Sequence, residues 1–299
     1  EFLVKKEDQF KSVDHNEFIY NPMNMTLGAV DLNLTGKTVA VSGYYITMLS
    51  KDGFDSKYFS IWLKSPLAIK MYKLYATGSL IERQRVQFPT LSQIKSSVPQ
   101  IEEQTKIGSF FKQLDDTIAL HLCKQRQLGL LKQRLIKEIL PQSDSTLPHL
   151  RFANFRKPWE QHQLKEVLKV NSGRDYKHLN EGNIPVYGTG GYMLSVDGKL
   201  SDVDGIGLGR KGTIDKPQYL KAPFWTVDTL FYLTPSPNYD IYFLYTLIQN
   251  VNWKSMDEST GVPSLSKSVI ERVTLTFPIL EEQQKIGSVF KQLDDTIIL

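Results

Sequence analysis

The sequence predicts an α+β protein. Two globular blocks, each an irregular twisted sheet with helices, are joined by long helices that pair as an antiparallel coiled coil. Three observations carry this. A helical block recurs almost unchanged along the chain. Its apolar residues step by three and four. The stretches between are dense in turn residues and short apolar runs.

The chain has 299 residues, which at about 150 per domain suggests two domains. Hydrophobic residues make up 41% and charged residues 23%. Those fractions are ordinary for a globular protein and exclude a disordered chain. No apolar run approaches the roughly 18 residues that a membrane-spanning helix needs, and no leader is recognised. Cys123 is the single cysteine. It excludes an internal disulfide framework and a four-cysteine zinc site, and a reducing cytoplasm is the expected location. The net charge of +4 permits a nucleic-acid partner without demanding one.

The repeat is explicit. Residues 99–120 and 278–299 are identical at 17 of 22 positions, a register shift of 179. Upstream the likeness is weaker. Asp55-Ser56-Lys57-Tyr58-Phe59 parallels Asp240-Ile241-Tyr242-Phe243. Phe88-Pro89-Thr90-Leu91-Ser92 parallels Val262-Pro263-Ser264-Leu265-Ser266, and Phe18-Ile19-Tyr20 parallels the strand near Ile206. The unit is therefore a variable block followed by a near-invariant helix, used twice. Residues 1–98 are read as the first block and 99–141 as the connecting helix. Residues 142–277 are read as the second block and 278–299 as the start of the second helix. On this alignment the first block lacks an opening segment and the second helix stops half-way, so a fragment or a truncated reading frame is expected.

Pro99 opens the first helix, and Glu102 and Glu103 suit the positive end of its dipole. The seam runs through Ile107, Phe111, Leu114, Ile118, Leu122, Leu128 and Leu135, and Pro141 stops it. About 40 residues at 1.5 Å each give roughly 60 Å. Such a helix needs a partner, and the second copy offers Ile286, Phe290, Leu293 and Ile297. The expected role is a rigid spacer; an ordinary helical hairpin is the plainer reading. Cys123, next to Leu122, is read as packing.

In the second block, turn signals such as Asn171-Ser172-Gly173, Gly188-Thr189-Gly190-Gly191 and Asp204-Gly205 bound short strand-like runs. Ile241 to Val251 is the best helix, with Ser56 to Lys64 as its counterpart. Basic and polar residues cluster near the glycines. They are Arg174, Tyr187, Thr189 and Tyr192, then Arg210, Lys211, Lys216 and Thr260. The first block offers Asn21, Asn24, Lys73, Ser79, Arg83 and Arg85. Glycine lets backbone N–H groups approach phosphates, Lys and Arg neutralise them, and Arg and Asn can read base edges. Arg210 and Lys211, between Gly209 and Gly212, are the leading candidates. Against this, residues 1–98 carry 12 basic and 9 acidic side chains and residues 142–277 carry 15 and 14. Neither block is strongly basic, and any single one of these residues reads more readily as a solvated loop residue than as a base reader.

No catalytic or metal site emerges. Gly207-x-Gly209-x-x-Gly212 matches a dinucleotide fingerprint in letters, but Pro217 follows too soon for the required helix. The histidines at 15, 121, 149, 162 and 178 show no ligand spacing.

The duplicated Pro-x-x-Glu-Glu-Gln-x-Lys-Ile block carries a family resemblance: Phe277 to Ile286 with Phe290 to Asp295, and the twin at Val98 to Asp116. Lys132-Gln133-Arg134-Leu135, Phe18 to Pro22, and Arg151-Phe152 to Trp159-Glu160 fit as well. The chain resembles the specificity subunit of type I restriction–modification systems. The resemblance implies two target recognition domains, each reading half of a split DNA sequence. It also implies two spacer helices that dock two modification subunits. S-adenosylmethionine, ATP and magnesium belong to the modification and restriction subunits, and this chain binds no cofactor and is not itself an enzyme. Self-dimerisation is open to a subunit shortened at its ends. Two other readings stay open: a protein adaptor on a coiled coil, and the recognition half of a fused methyltransferase.

Overall fold

Apolar runs in both blocks are short and end in turn residues, so the chain builds many short elements instead of a few long ones. The computed structural model describes residues 10–78, 84–141 and 147–298. They fall into two units, Glu1–Leu122 and Cys123–Leu299.

Unit 1 holds β1 (Phe10–Val13), β2 (Phe18–Tyr20), β3 (Val30–Leu32), β4 (Val39–Ser42) and β5 (Ile46–Met48). The helices α1 (Ser56–Trp62), α2 (Pro66–Tyr75) and α3 (Phe88–Leu91) follow. β1 pairs with β4, and an antiparallel sheet runs β3-β2-β5. Phe18 and Tyr20 alternate into the core, where they meet Met25, Tyr72 and Val86. Side-chain caps start both longer helices. Asp55 accepts from Tyr58 N at 2.8 Å, and Ser65 accepts from Ala68 N with Pro66 in the first turn.

Helix α4 (Ile101–Ile139) crosses from unit 1 into unit 2. Unit 2 continues with β6 (Glu160–Gln163), α5 (Leu164–Val167), β7 (Leu168–Ser172), β8 (Glu181–Gly188), β9 (Gly191–Val196) and β10 (Gly205–Gly209). Then come β11 (Gln218–Leu220), β12 (Trp225–Thr226), β13 (Leu230–Pro235), α6 (Ile241–Gln249), α7 (Lys267–Arg272), β14 (Thr274–Phe277) and α8 (Leu280–Ile298). The sheets run β11-β10-β13-β7, β12-β8-β9 and β14-β6. The main core joins Leu164, Ile206, Phe231, Phe243 and Trp253 to Phe290 of α8. A smaller one lies beneath the β8–β9 hairpin, around Val186, Trp225 and Leu230.

The two units share a plan. β2 lies between β3 and β5 as β10 lies between β11 and β13. Asp55 caps α1 as Asp240 caps α6. The expected helix counterparts and the Phe18–Ile206 match therefore hold. One expected match does not. Leu91-Ser92 is not the counterpart of Leu265-Ser266. Val86 N donates to Pro22 O after β2, and Leu265 N donates to Arg210 O after β10, so Val86 is the counterpart of Leu265. That restores the shift of 179 seen in the helices. A Leu-Ser pair in a loop is a weaker guide than a backbone hydrogen bond to an equivalent strand end.

Each near-identical helix meets its own block at a tight joint. In unit 1, Asp55 N donates to Gln104 Oε1 at 3.0 Å, and Gln104 Nε2 donates to Pro99 O at 2.8 Å. In unit 2, Asp240 N donates to Gln283 Oε1 at 3.1 Å, and Gln283 Nε2 donates to Pro278 O at 2.8 Å. Glycine sits one turn further along. A Cβ on Gly108 would stand 2.7 Å from Asp55 Oδ1, and one on Gly287 would stand 2.2 Å from Asp240 Oδ1.

Within unit 2, the end of α4 and α8 pack antiparallel. Gln125 Nε2 donates to Ile297 O at 3.0 Å, Lys132 pairs with Asp294 at 2.6 Å, and Leu135 and Ile139 share the core with Ile286, Phe290 and Leu293. Leu128 and Ile297 are half-buried. Earlier on α4, Ile107 is half-buried, whereas Phe111, Leu114, Ile118 and Leu122 are exposed. Cys123 is also exposed, not packed as expected, because it lies with Leu122 and Lys124 on the open side of α4.

Gln283→Ala strands a half-buried N–H and a buried carbonyl. It should cost about 1–3 kcal/mol of stability. Gly287→Ala overpacks the joint and should cost about the same. Chemical denaturation midpoints check both, and unchanged midpoints would show that the joint holds nothing together.

Candidate nucleic-acid interface

In unit 2 the candidate loops meet where β10 ends. Gly209 is required there, because a Cβ would lie 2.0 Å from Thr213 O. Gly212 follows with φ +88°, a conformation that side chains disfavour. The backbone between them is tied down on both sides. Arg210 N donates to Thr229 O at 2.8 Å, Leu265 N donates to Arg210 O at 3.0 Å, and Gly212 N donates to Pro263 O at 2.8 Å. With the backbone held, the side chains of Arg210 and Lys211 project as exposed groups. The Arg210 guanidinium lies 5.7 Å from the centre of the Phe231 ring, a cation–π placement that narrows its freedom.

Thr260 is exposed on the neighbouring loop. Asp257 closes that loop: its Oδ1 accepts from Ser259 N, Ser259 Oγ and Ser264 N at 3.0, 2.8 and 2.9 Å. The Ser264 and Ser259 N–H groups favour the charged form and hold the Asp257 carboxyl below its ordinary range.

The β8–β9 hairpin reaches the same place. Gln218 Nε2 donates to Gly188 O and Thr189 O. A Cβ at Gly212 would lie 3.9 Å from Thr189 Oγ1. Tyr187 O accepts from Val227 N, and Arg174 N donates to Thr226 O, so Arg174 joins the edge of the cluster. Tyr192 is exposed, with its ring 6.4 Å from that of Tyr187. Lys216 is exposed on the β10–β11 connection beside Asp215, whose carboxylate pairs with Lys254. Asp228 and Glu258 are exposed among these loops, so the face is mixed in charge.

Unit 1 places its candidates at the equivalent end of β2. Asn21 and Asn24 shape the turn: Asn21 Oδ1 accepts from Met23 N, and Asn24 O accepts from Leu27 N and Ala29 N. Asn21 therefore spends its side-chain oxygen on the turn, while Asn24 is exposed. Arg85 is exposed next to Val86, which binds Pro22 O, and it bridges Thr77. Lys73 is exposed in the last turn of α2. Ser79 and Arg83 lie outside the described residues.

The sequence reading missed the groups that hold the loops: Gln218, Phe231 and Asp257. Asp257-x-Ser259 is a readable turn pattern. Nothing in the letters ties Gln218 to a hairpin 29 residues away. The letters Gly207-x-Gly209-x-x-Gly212 form a strand end and a tight turn with no helix after them.

The family model of the type I restriction modification DNA specificity domain matches residues 4–129 and 156–299. The chain belongs to this family. Each match takes in one block and most or all of the helix that follows it, the same unit that the internal repeat delimits. The crystal structure of the type I restriction–modification system S subunit from M. genitalium is similar in fold. Its TM-score is 0.75 at 18% identity, over 97% of this chain and 78% of that one. A structure described as underlying complex assembly and conformational transition of the type I R-M system matches at 0.55. There the identity is 13%, over 98% of this chain and 78% of that one. No curated protein matches the sequence. In this pair of specificity domains, no described helix is long and apolar enough to cross a membrane.

Asp257 has a lowered pKa in the fold, so its contribution is present at neutral pH and is lost as pH falls through that lowered value. Amide protection of Ser259 and Ser264, corrected for intrinsic exchange, should drop on acidification below the ordinary carboxylate range. Asp257→Asn should flatten that dependence.

Proposed function

We propose that the chain is the DNA-reading specificity subunit of a type I restriction–modification complex. Each unit reads one part of a bipartite duplex target, using the loops at the end of its central strand. The carrying observation is the shared hydrogen bond, Val86 N to Pro22 O and Leu265 N to Arg210 O. It presents two unrelated loop sequences in one framework. In such a framework only the loop side chains need to differ for the two units to read different base edges.

The roles divide by chemistry. Lys211 and Lys216 suit phosphate oxygens. Arg210, oriented by Phe231, and Asn24 suit base edges. Tyr192 offers an exposed ring and hydroxyl. The helical blocks are the docking elements for two modification subunits. Those subunits bring S-adenosylmethionine, and the restriction subunits bring ATP and magnesium; this chain contributes recognition and no chemistry of its own. A cytoplasmic location follows from that role. The acidic residues in the face lower non-specific attraction, leaving sequence-dependent contacts a larger share of the binding energy.

In the assembled complex, Lys211→Ala should weaken duplex binding for all sequences and reduce the salt slope by about one ion. Arg210→Ala should cost about 1–3 kcal/mol and relax the methylated sequence at one position. Binding titrations across a salt series, with mapping of methylated adenines, check both. Unchanged affinity and an unchanged target would remove both residues from the interface. Binding without salt dependence or sequence preference would favour the adaptor.

A further inference from the structure

The two units share a plan, and a segment of unit 2 covers positions whose counterparts in unit 1 are open among the described residues. Arg151 donates to both carboxylate oxygens of Glu282, at 2.7 and 2.8 Å, and the Glu282 side chain is fully buried. Leu164 and Val167 are fully buried. They are locked by Leu164 N on Val273 O and by Ser236 N on Val167 O. β7 then adds a strand to β13, with Val170 opposite Leu233.

In unit 1, Glu103 is the twin of Glu282 by the helical repeat. It is exposed, and among the described residues it has no ion-pair partner. β5, the twin of β13, pairs with β2 on one side and with no described strand on the other. Past the end of β5 opens a cavity of about 280 Å³ walled by Phe18, Met48, Phe59, Trp62 and Leu91. Leu49, Phe54 and Phe88 stand at its margin 69%, 43% and 47% exposed. Lys51, at the mouth, is the counterpart of Ser236, the residue that donates to Val167 O in unit 2.

We propose that this face of unit 1 is a seat for an added polypeptide strand with the chemistry of Arg151–Ser172. An arginine would pair with Glu103, two apolar side chains would fill the cavity, and a strand would extend the sheet at β5. Strand addition at an open edge draws affinity from main-chain hydrogen bonds and specificity from side-chain pockets. The open edge favours a partner with backbone N–H and C=O groups, and Glu103 favours a cation over an anion. Together these argue for a polypeptide over a lipid tail or a phosphate backbone.

The test uses the full chain and a fluorescent peptide copying residues 150–173. The expected result is saturable binding of one peptide per chain, with slowed amide exchange at Ile46–Met48. Peptides carrying Arg151→Ala, or Leu164→Asp with Val167→Asp, should bind at least about fivefold more weakly. Glu103→Gln in the chain should weaken the unaltered peptide and leave the Arg151→Ala peptide little changed. Three results would overturn the proposal. One is no binding. The second is binding indifferent to these changes, or protection confined to residues 160–172 and 230–235. The third is a dimer of the chain that protects β5 and excludes the peptide, which would assign the face to a second copy. No DNA enters the experiment, so its failure leaves the recognition reading untouched.

Discussion

In each unit a glutamine in the first turn of a long helix holds two backbone groups at once: a proline carbonyl behind it and the N–H of an aspartate in the block. That aspartate caps a short helix of the block, and a glycine on the long helix gives its carboxylate room. Both ends of each glutamine amide are committed. A larger residue at the glycine would collide, and a residue other than glutamine or a close mimic would leave buried polar groups unmet. This accounts for the glutamine and the glycine that the two helical blocks share. Each copy solves the same fitting problem at the same place.

Charge pairs add position more than net stability. Arg151 with Glu282, and Lys132 with Asp294, are largely removed from water. Desolvation offsets much of the attraction in such pairs, whereas losing one partner strands a charge. Their effect is to dictate where the entering segment lies against α8 and where the end of α4 lies along it. Tyr242, whose hydroxyl donates to Asp294, ties that second pair to α6. Burial and the neighbouring Asp294 charge raise the Tyr242 pKa still further above neutral.

The loop end follows a different logic. Its backbone is over-determined: Thr229, Pro263 and Leu265 pin Arg210 and Gly212, and Asp257 closes the adjacent loop. Of the side chains that point away, Arg210 rests on Phe231 while Lys211 is exposed, and neither position is fixed by the backbone that carries it, so both are free to vary between the two units. Rigid backbone with variable side chains is the arrangement that lets one framework serve two different contact patterns.

Periodicity and self-similarity made the architecture legible. A step of three and four marked α4 and α8, and turn clusters marked the short strands. The shift of 179 marked the duplication. These are local or self-referential signals, available wherever side-chain spacing reports backbone geometry. Arg210 and Lys211 stood out for the same reason, sitting between two glycines. Contacts between distant segments were not available in this way. Gln104 and Gln283 read as polar helix residues until Asp55 and Asp240 were brought against them. Val86 could not be matched to Leu265 until each was seen bonded to the end of an equivalent strand. Glu103 and Glu282 are the same letter in the same motif, yet one is exposed and the other fully buried. That difference belongs to Arg151, 131 residues from Glu282: burial of a charge is set by what packs over it, and only the folded chain determines that.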